Sequence, residues 1–185
     1  GNLHPAVQLS VLEQIDNTEL VVLDTMNFWI ESTPDLLNKV ISKVDVVTIN
    51  DEEARELTGE YSLVKAARKI SDMGPDYVVI KKGEHGALLF YDDEMFFAPA
   101  LPLEEVFDPT GAGDTFAGGF TGYLAYKDNY SFEAMKNAVI YGSNLASFSV
   151  EKSGTERMLN LNQKDINNRL ELFNSLTQFE INLTD

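Results

Sequence analysis

The stretch VDVVTINDEEARELTGEYSLVKAARKISDMGPDYVVI, residues 44–80, contains the pattern that indicates the fold class. It begins and ends with short apolar runs, at residues 44–49 and 77–80, which are typical of buried strands. Between these runs, residues 51–57 and 62–73 have the pattern of two amphipathic helices. Two strands joined through helices predict a parallel pair in an α/β sheet.

The same alternation continues on both sides of this stretch. The apolar run 20–23 predicts an earlier strand, and residues 34–44, which start with a proline after serine and threonine, predict a helix. Residues 86–91 and 95–98, separated by three acidic residues, predict a β-hairpin attached to the sheet. The remaining predicted elements are helices, over residues 113–127, 131–150 and 163–176. We therefore predict one α/β domain over residues 1–185, with three αβα layers and a mostly parallel sheet.

Composition excludes several classes of function. The chain has 185 residues, of which 44% are hydrophobic, so it is long enough to bury a sizeable core. It has no cysteine, which excludes disulfides and thiolate chemistry and agrees with a reducing, cytoplasmic location. Its net charge is −16 and no basic run exceeds two residues, as at Lys81-Lys82, so we expect no nucleic-acid partner. No apolar run has membrane-spanning length and no signal-peptide pattern is visible, so we expect no membrane partner.

The segment Asp108-Pro-Thr-Gly-Ala-Gly-Asp-Thr-Phe116 carries the strongest chemical signal. Gly111 and Gly113 allow unusual backbone angles, and the helix that starts near Gly113 presents free N–H groups, which suit an anion such as phosphate. Asp114 falls in the first turn of that helix. A carboxylate repels a phosphate, so its presence favours a base that takes a proton from an attacking hydroxyl. The alternative is that Asp114 only caps the helix.

Small residues line two consecutive predicted helices. Gly118, Gly119 and Gly122 lie inside the first, although each glycine costs about 1 kcal/mol relative to alanine in a helix. The second carries Gly142 within a stripe that also contains alanines. These residues indicate a close backbone approach, either between the two helices or to a ligand.

The glycine-rich segment resembles the C-terminal signature of the PfkB/ribokinase family of carbohydrate and nucleoside kinases, Asp-x-Thr-x-x-Gly-Asp-x-Phe. Every fixed position of that pattern is matched, by Asp108, Thr110, Gly113, Asp114 and Phe116. The resemblance implies a ribokinase-like fold, with Asp114 as the catalytic base. It also implies an anion hole for the transferred phosphoryl group, formed by Gly111, Ala112, Gly113 and Asp114.

Other segments resemble further elements of the same family. Asn50-Asp-Glu-Glu53 resembles an Asn-x-x-Glu element that organises Mg²⁺ and phosphate, which implies nucleotide binding by Asn50 and metal binding by Glu53. The turn that begins at Lys82-Gly83 and ends at Gly86 resembles one that borders ATP.

The resemblance extends to the base, the cation and the acceptor. Gly142 and Ser143 correspond to the adenine pocket, and Asn27, after the strand that ends near Asp24, to a position near the phosphates or the acceptor. Asp108 and Thr110 fall where relatives hold a monovalent cation such as K⁺, so Asp108 is a predicted metal ligand and Thr110 a predicted cofactor-binding residue. Residues 149–154 would supply backbone ligands for that cation.

The resemblance implies ATP-dependent phosphoryl transfer to a hydroxyl of a sugar or a sugar-like small molecule. Two alternatives remain open: a nucleoside kinase, and a nucleotide-binding module without catalysis. The family's double-glycine signature, most acceptor-binding residues and small β-lid have no counterpart here, so we expect an incomplete kinase chain. The faces that this portion would cover are expected to favour a homodimer or another association.

Overall fold

Five strands form one sheet with helices on both faces in this computed structural model, which describes residues 1–178 and residue 180. The strands are β1 (Val22–Asp24), β2 (Val46–Asn50), β3 (Tyr77–Lys81), β4 (Ala87–Tyr91) and β5 (Glu94–Ala98), and they are adjacent in that order. β1, β2 and β3 are parallel, whereas β4 and β5 join as antiparallel strands. The predicted hairpin is present, and it makes the sheet mixed. The α/β prediction is confirmed.

One face of the sheet is covered by the helix that precedes β1 and by the helices that connect the parallel strands. They are α1 (Pro5–Gln14), α2 (Asn27–Ser32), α3 (Pro34–Ile41), α4 (Asp51–Thr58) and α5 (Leu63–Ser71). Their apolar sides share a core with every second residue of the strands, including Val47, Ile49, Val78 and Ile80. Alternation along the strands therefore determines which side chains reach this layer.

The opposite face is covered by α6 (Ala112–Lys127) and α7 (Phe132–Ser149), which pack extensively on each other. The alternate strand residues, among them Val46, Val79 and Leu89, meet Phe116 and Phe120 in a second core. α8 (Glu156–Leu159) follows α7, and α9 (Gln163–Thr177) packs on the outside of α7. The result is the predicted three-layer αβα arrangement.

The sequence patterns did not predict α1, α2 or α8. The latter two contain 6 and 4 residues, too few for a helical period to show. α1 places Val7 and Val11 on its exposed side, so its apolar residues do not mark a single buried face. No helix in the described part of the chain is long and apolar enough to cross a bilayer.

Candidate active site

Three parallel strands end at the same edge of the sheet, and the first turn of α6 lies against that edge. Asp24 ends β1, Asn50 ends β2 and Lys81 ends β3, with Asn50 and Lys81 directly paired in the register. The carboxyl ends of parallel strands are where open α/β sheets bind ligands. The strand ends therefore locate the candidate site.

Lys81 links two of these strands to α6. Its Nζ lies 2.9 Å from Oδ1 of Asp24, and both side chains are only 16% exposed. A Cβ built on Gly113 would lie 3.5 Å from the same Nζ, so the ammonium group is close to the first turn of α6. The sequence patterns did not single out Lys81. The available signal was its position directly after a buried apolar run, at the same strand end as Asn50.

Glu53 and Asn50 hold each other at the start of α4. The Glu53 N–H donates to Oδ1 of Asn50 at 2.8 Å, and the Asn50 N–H donates to Oε2 of Glu53 at 3.1 Å, which is a capping box. Burial raises the pKa of the Glu53 carboxyl, and the Asn50 N–H and the charge of Lys81 oppose that rise. The carboxylate therefore already has a structural role, and it lies within electrostatic reach of Lys81.

Asn27 is the first residue of α2 and belongs to the same cluster. Its side-chain oxygen accepts from the Phe28 N–H at 3.0 Å. Its own backbone N–H approaches the Glu53 carboxylate and, like the Asn50 N–H, favours the ionised form. The structure thus brings Asn27, Asn50 and Glu53 together with the ion pair of Asp24 and Lys81.

The first turn of α6 presents unused donors. Gly111 has a φ of 82° and precedes the helix, and the Ala112 N–H donates to the carbonyl oxygen of Pro109 at 3.1 Å. Within the described residues, the N–H groups of Gly113 and Asp114 have no acceptor. The predicted anion hole therefore has free amides at residues 113 and 114, whereas the amide of Ala112 is already occupied.

The Asp114 side chain is exposed, and it makes no capping hydrogen bond to the described part of the chain. A carboxylate that only caps a helix would accept a backbone N–H of the first turn. The geometry therefore disfavours capping as the reason for an aspartate here. The role of Asp114 as a base stays a prediction.

Asp108 is connected to the loop that follows α7. Its Oδ1 accepts from the Thr110 N–H at 2.9 Å, its Oδ2 lies 3.5 Å from Oγ of Ser153, and its backbone N–H donates to the Val150 carbonyl. The hydrogen bond from Thr110 holds the pKa of Asp108 below its ordinary value. The structure thus brings Asp108 next to residues 149–154, where a monovalent cation was predicted.

The turn between β3 and β4 is a single 3₁₀ turn at Gly83–His85. Gly86 has a φ of 86°, and a Cβ there would overlap the carbonyl oxygen of Ala98. Close packing against residues 98–100 is sufficient to explain Gly86. Gly83 has open space around it, and Lys82 is half-buried, so both can still border a nucleotide.

Gly142 is buried between α6 and α7. A Cβ on Gly142 would lie 2.8 Å from the carbonyl oxygen of Phe116. Helix packing explains why this residue is a glycine. The next residue, Ser143, is partly exposed, whereas Gly142 is buried. The adenine pocket predicted here stays a prediction, with Ser143 as its more accessible residue.

Neither of the predicted metal ligands, Glu53 and Asp108, belongs to a cluster of metal-ligating side chains among the described residues. Over residues 1–178 and 180, no group of three or more histidine or acidic side chains is arranged to hold a metal ion.

A cavity of about 590 Å³ lies at the opposite end of β3, where its lining includes Asp72, Asp76 and Asp92. These carboxylates would repel a phosphate, so this cavity does not suit a nucleotide.

Comparison with protein families identifies a match to the pfkB family carbohydrate kinases over residues 8–162. The chain is 40% identical over 120 residues to a cytidine kinase of Thermococcus kodakarensis, a match that covers 63% of this chain and 43% of the relative. It is 32% identical over 136 residues to a ribokinase of Haemophilus influenzae, covering 71% of this chain and 42% of the relative. The chain therefore spans less than half the length of these two relatives.

The fold comparison agrees with the sequence comparison. A crystal structure of a Vibrio cholerae fructokinase, solved with fructose, ADP and a calcium ion, superposes with a TM-score of 0.76 at 23% identity. The superposition covers 89% of this chain and 55% of the fructokinase. At this identity the likeness establishes the fold alone.

Proposed function

Since the chain belongs to the pfkB family of carbohydrate kinases, we propose that it carries the nucleotide and phosphoryl site of an ATP-dependent kinase whose acceptor is a sugar hydroxyl. One observation carries this proposal: among the described residues, the N–H groups of Gly113 and Asp114 in the first turn of α6 have no acceptor, and the Asp114 carboxylate beside them accepts no capping hydrogen bond. Free amides at a helix start bind anions. An adjacent carboxylate adds no affinity for an anion, but it is suited to accept a proton.

In the proposed reaction, the acceptor oxygen attacks the γ-phosphorus of ATP and forms the new O–P bond. The bond between that phosphorus and the β,γ-bridging oxygen breaks, and ADP leaves with the electron pair. Asp114 takes the hydroxyl proton, and the amides of Gly113 and Asp114 donate to the oxygens of the transferring group. No oxidant or additional reactant is required.

Nucleotide binding is assigned to residues around this turn. Asn50, Lys82, Gly83 and Thr110 are proposed to border the phosphates, and Ser143 to lie near the base. The oxygen ligands of Glu53 and Asn50 fit Mg²⁺, which usually binds one or two protein carboxylates together with substrate phosphates. When bound, Mg²⁺ would neutralise part of the phosphate charge. K⁺ is the proposed occupant beside Asp108.

A nucleoside is the second candidate acceptor. The 40% identity with a cytidine kinase favours it, whereas the identity with a ribokinase favours a free sugar. Both acceptors offer a ribose-type hydroxyl to the same base. Asn27 is proposed to contact either acceptor, because it lies at the start of α2 beside Glu53.

The test combines binding with turnover. Calorimetry with Mg·ATP and Mg·ADP should show binding, and ADP release should be measured with ribose, fructose, cytidine and adenosine as acceptors. Asp114→Asn serves as the matched control, since it retains the shape but not the base. ADP release that depends on an acceptor and on Asp114 supports a kinase, and the acceptor used identifies its class. Nucleotide binding with no transfer to any acceptor would indicate a binding module, and no binding at millimolar nucleotide would reject the nucleotide site.

A further inference from the structure

Lys81 is a partly buried cation next to the start of α6, where a cation is electrostatically disfavoured. The first turn of α6 has the positive end of the helix dipole, and an ammonium nearby would be destabilising on its own. Nevertheless, the Lys81 Nζ lies close to Gly113, at 3.5 Å from the position of an added Cβ. An anion bound at the same turn would remove this repulsion and be attracted by both groups.

Asp24 holds Lys81 without using all of its donors. A lysine ammonium has three N–H bonds, and the Asp24 carboxylate accepts one of them at 2.9 Å. Among the residues that the structure describes, no other side chain or backbone oxygen accepts from the Lys81 Nζ. Two donors therefore remain for a ligand. The two side chains are each only 16% exposed, so little solvent competes for these donors or screens the charge.

Lys81 and its neighbour Lys82 differ in how their ammonium groups are held. Lys82, the next residue, lies beyond the end of β3 and precedes the 3₁₀ turn. It makes no ion pair with any described residue. Lys81 is thus the lysine whose position is fixed by an internal partner at the first turn of α6.

We propose that Lys81 contacts the γ-phosphoryl group of ATP, together with the Gly113 and Asp114 amides, and that Asp24 is the positioning residue that orients its ammonium. This assignment rests on the proposed kinase function. It adds a side-chain cation to the backbone N–H donors of the predicted anion hole. As the O–P bond to the acceptor forms and the bond to ADP breaks, Lys81 donates hydrogen bonds to the transferring oxygens and keeps its protons.

The test exploits the one phosphate that distinguishes ATP from ADP. Lys81→Met should weaken the binding of a non-hydrolysable Mg·ATP analogue by about 10-fold or more, the usual effect of losing a charge-assisted hydrogen bond, and leave Mg·ADP binding within about 2-fold. Lys164→Met, at an exposed position on α9 with no ion pair to a described residue, is the matched control and should not change the ATP-to-ADP affinity ratio. Lys81→Arg, which keeps the charge, should recover part of that ratio.

Removing Lys81 alone leaves the partly buried Asp24 carboxylate without its partner, which can unfold the chain or repel any nucleotide. The double variant Asp24→Asn/Lys81→Met removes both charges and should fold while still losing the preference for the γ-phosphate. Asp24→Asn alone should reduce turnover with a smaller effect on Mg·ADP affinity, because the ammonium loses its orientation.

Each outcome decides between the two proposals. If wild type binds both nucleotides but the double variant keeps the same ATP-to-ADP affinity ratio, Lys81 is part of a structural ion pair and the inference is wrong. An equal loss of ATP and ADP affinity also overturns the γ-phosphate assignment, without affecting the kinase proposal. If wild type binds neither nucleotide, the kinase proposal fails and the Lys81 assignment fails with it.

Discussion

Gly119 of α6 and Gly142 of α7 face each other so closely that a Cβ built on Gly119 would lie 3.2 Å from Cα of Gly142. The stripe of small residues in the sequence allowed two explanations, close helix packing or close approach of a ligand. For these two glycines the contact between helices is sufficient. The packing also fixes the position of α6, and hence of the first turn that presents Asp114.

We expect Gly142→Ala to lower the free energy of unfolding by about 1–3 kcal/mol, because the new Cβ meets the backbone carbonyl of Phe116, which cannot move aside easily. Gly122, in the same helix pair but with open space around it, is the matched control. Gly122→Ala should raise stability by about 0.5–1 kcal/mol, since alanine is the better helix former. Urea unfolding of both variants measures the difference. Equal effects would contradict the packing explanation.

Gly86→Ala should destabilise the chain more than Gly83→Ala, although both glycines have positive φ. At Gly83, with a φ of 55° and open surroundings, alanine costs about 1 kcal/mol of backbone strain. At Gly86 the same strain is joined by overlap with the carbonyl oxygen of Ala98, so the loss should clearly exceed that value. Thermal unfolding of the two variants checks the order, and a larger loss for Gly83→Ala would show that the contact at Ala98 relaxes freely.

Asp114→Asn should separate catalysis from helix capping. The carboxylate makes no capping hydrogen bond in the described part of the chain, so the variant should retain its melting temperature. If Asp114 is the base, phosphoryl transfer should fall by about 10²–10⁴-fold. Affinity for Mg·ATP should hold or improve, because a negative charge next to the phosphates is removed. Near-full turnover with a much lower melting temperature would instead identify a cap.

The end of α7 is held to α8 and α9 by Glu151, which accepts hydrogen bonds from Arg157 and Arg169. Burial opposes its ionisation, but the two arginines outweigh burial and hold the pKa of Glu151 below its ordinary value of 4.5. Because the pKa is lower in the folded chain than in the unfolded chain, ionised Glu151 stabilises the fold above about pH 4.5. That contribution is lost as the pH falls through the folded pKa.

We therefore expect Glu151→Gln to be less stable than wild type at pH 7 and to approach wild-type stability as the pH falls below about 4.5 and through the folded pKa of Glu151. Glu171→Gln, at an exposed position on α9, is the control and should show little difference at either pH. Denaturant unfolding across this pH range gives the comparison. A wild-type advantage that persists unchanged at low pH would contradict the ionic contribution of Glu151.

The elements that the sequence predicted well are those whose signal is local. The apolar runs 44–49 and 86–91 had the length of strands, and both are strands in the structure. The glycine after the predicted helix, Gly59, ends α4 with a φ of 69°. Boundaries were less accurate, since β1 begins at Val22 and not at residue 20. The edge of the sheet where Asn27 and Asn50 lie also followed from the pattern, because parallel strands end together.

By itself, the sequence determined the order of the strands and of most helices, the two apolar faces and the glycine-rich turn with Asp114, because each depends on residues near one another in the chain. Only the tertiary structure decided that Lys81 meets Asp24, 57 residues away, and that it lies against Gly113. It likewise decided that Gly142 serves helix packing. Such contacts depend on how strands align and how closely helices approach, and the periodicity of a single segment carries no information about either.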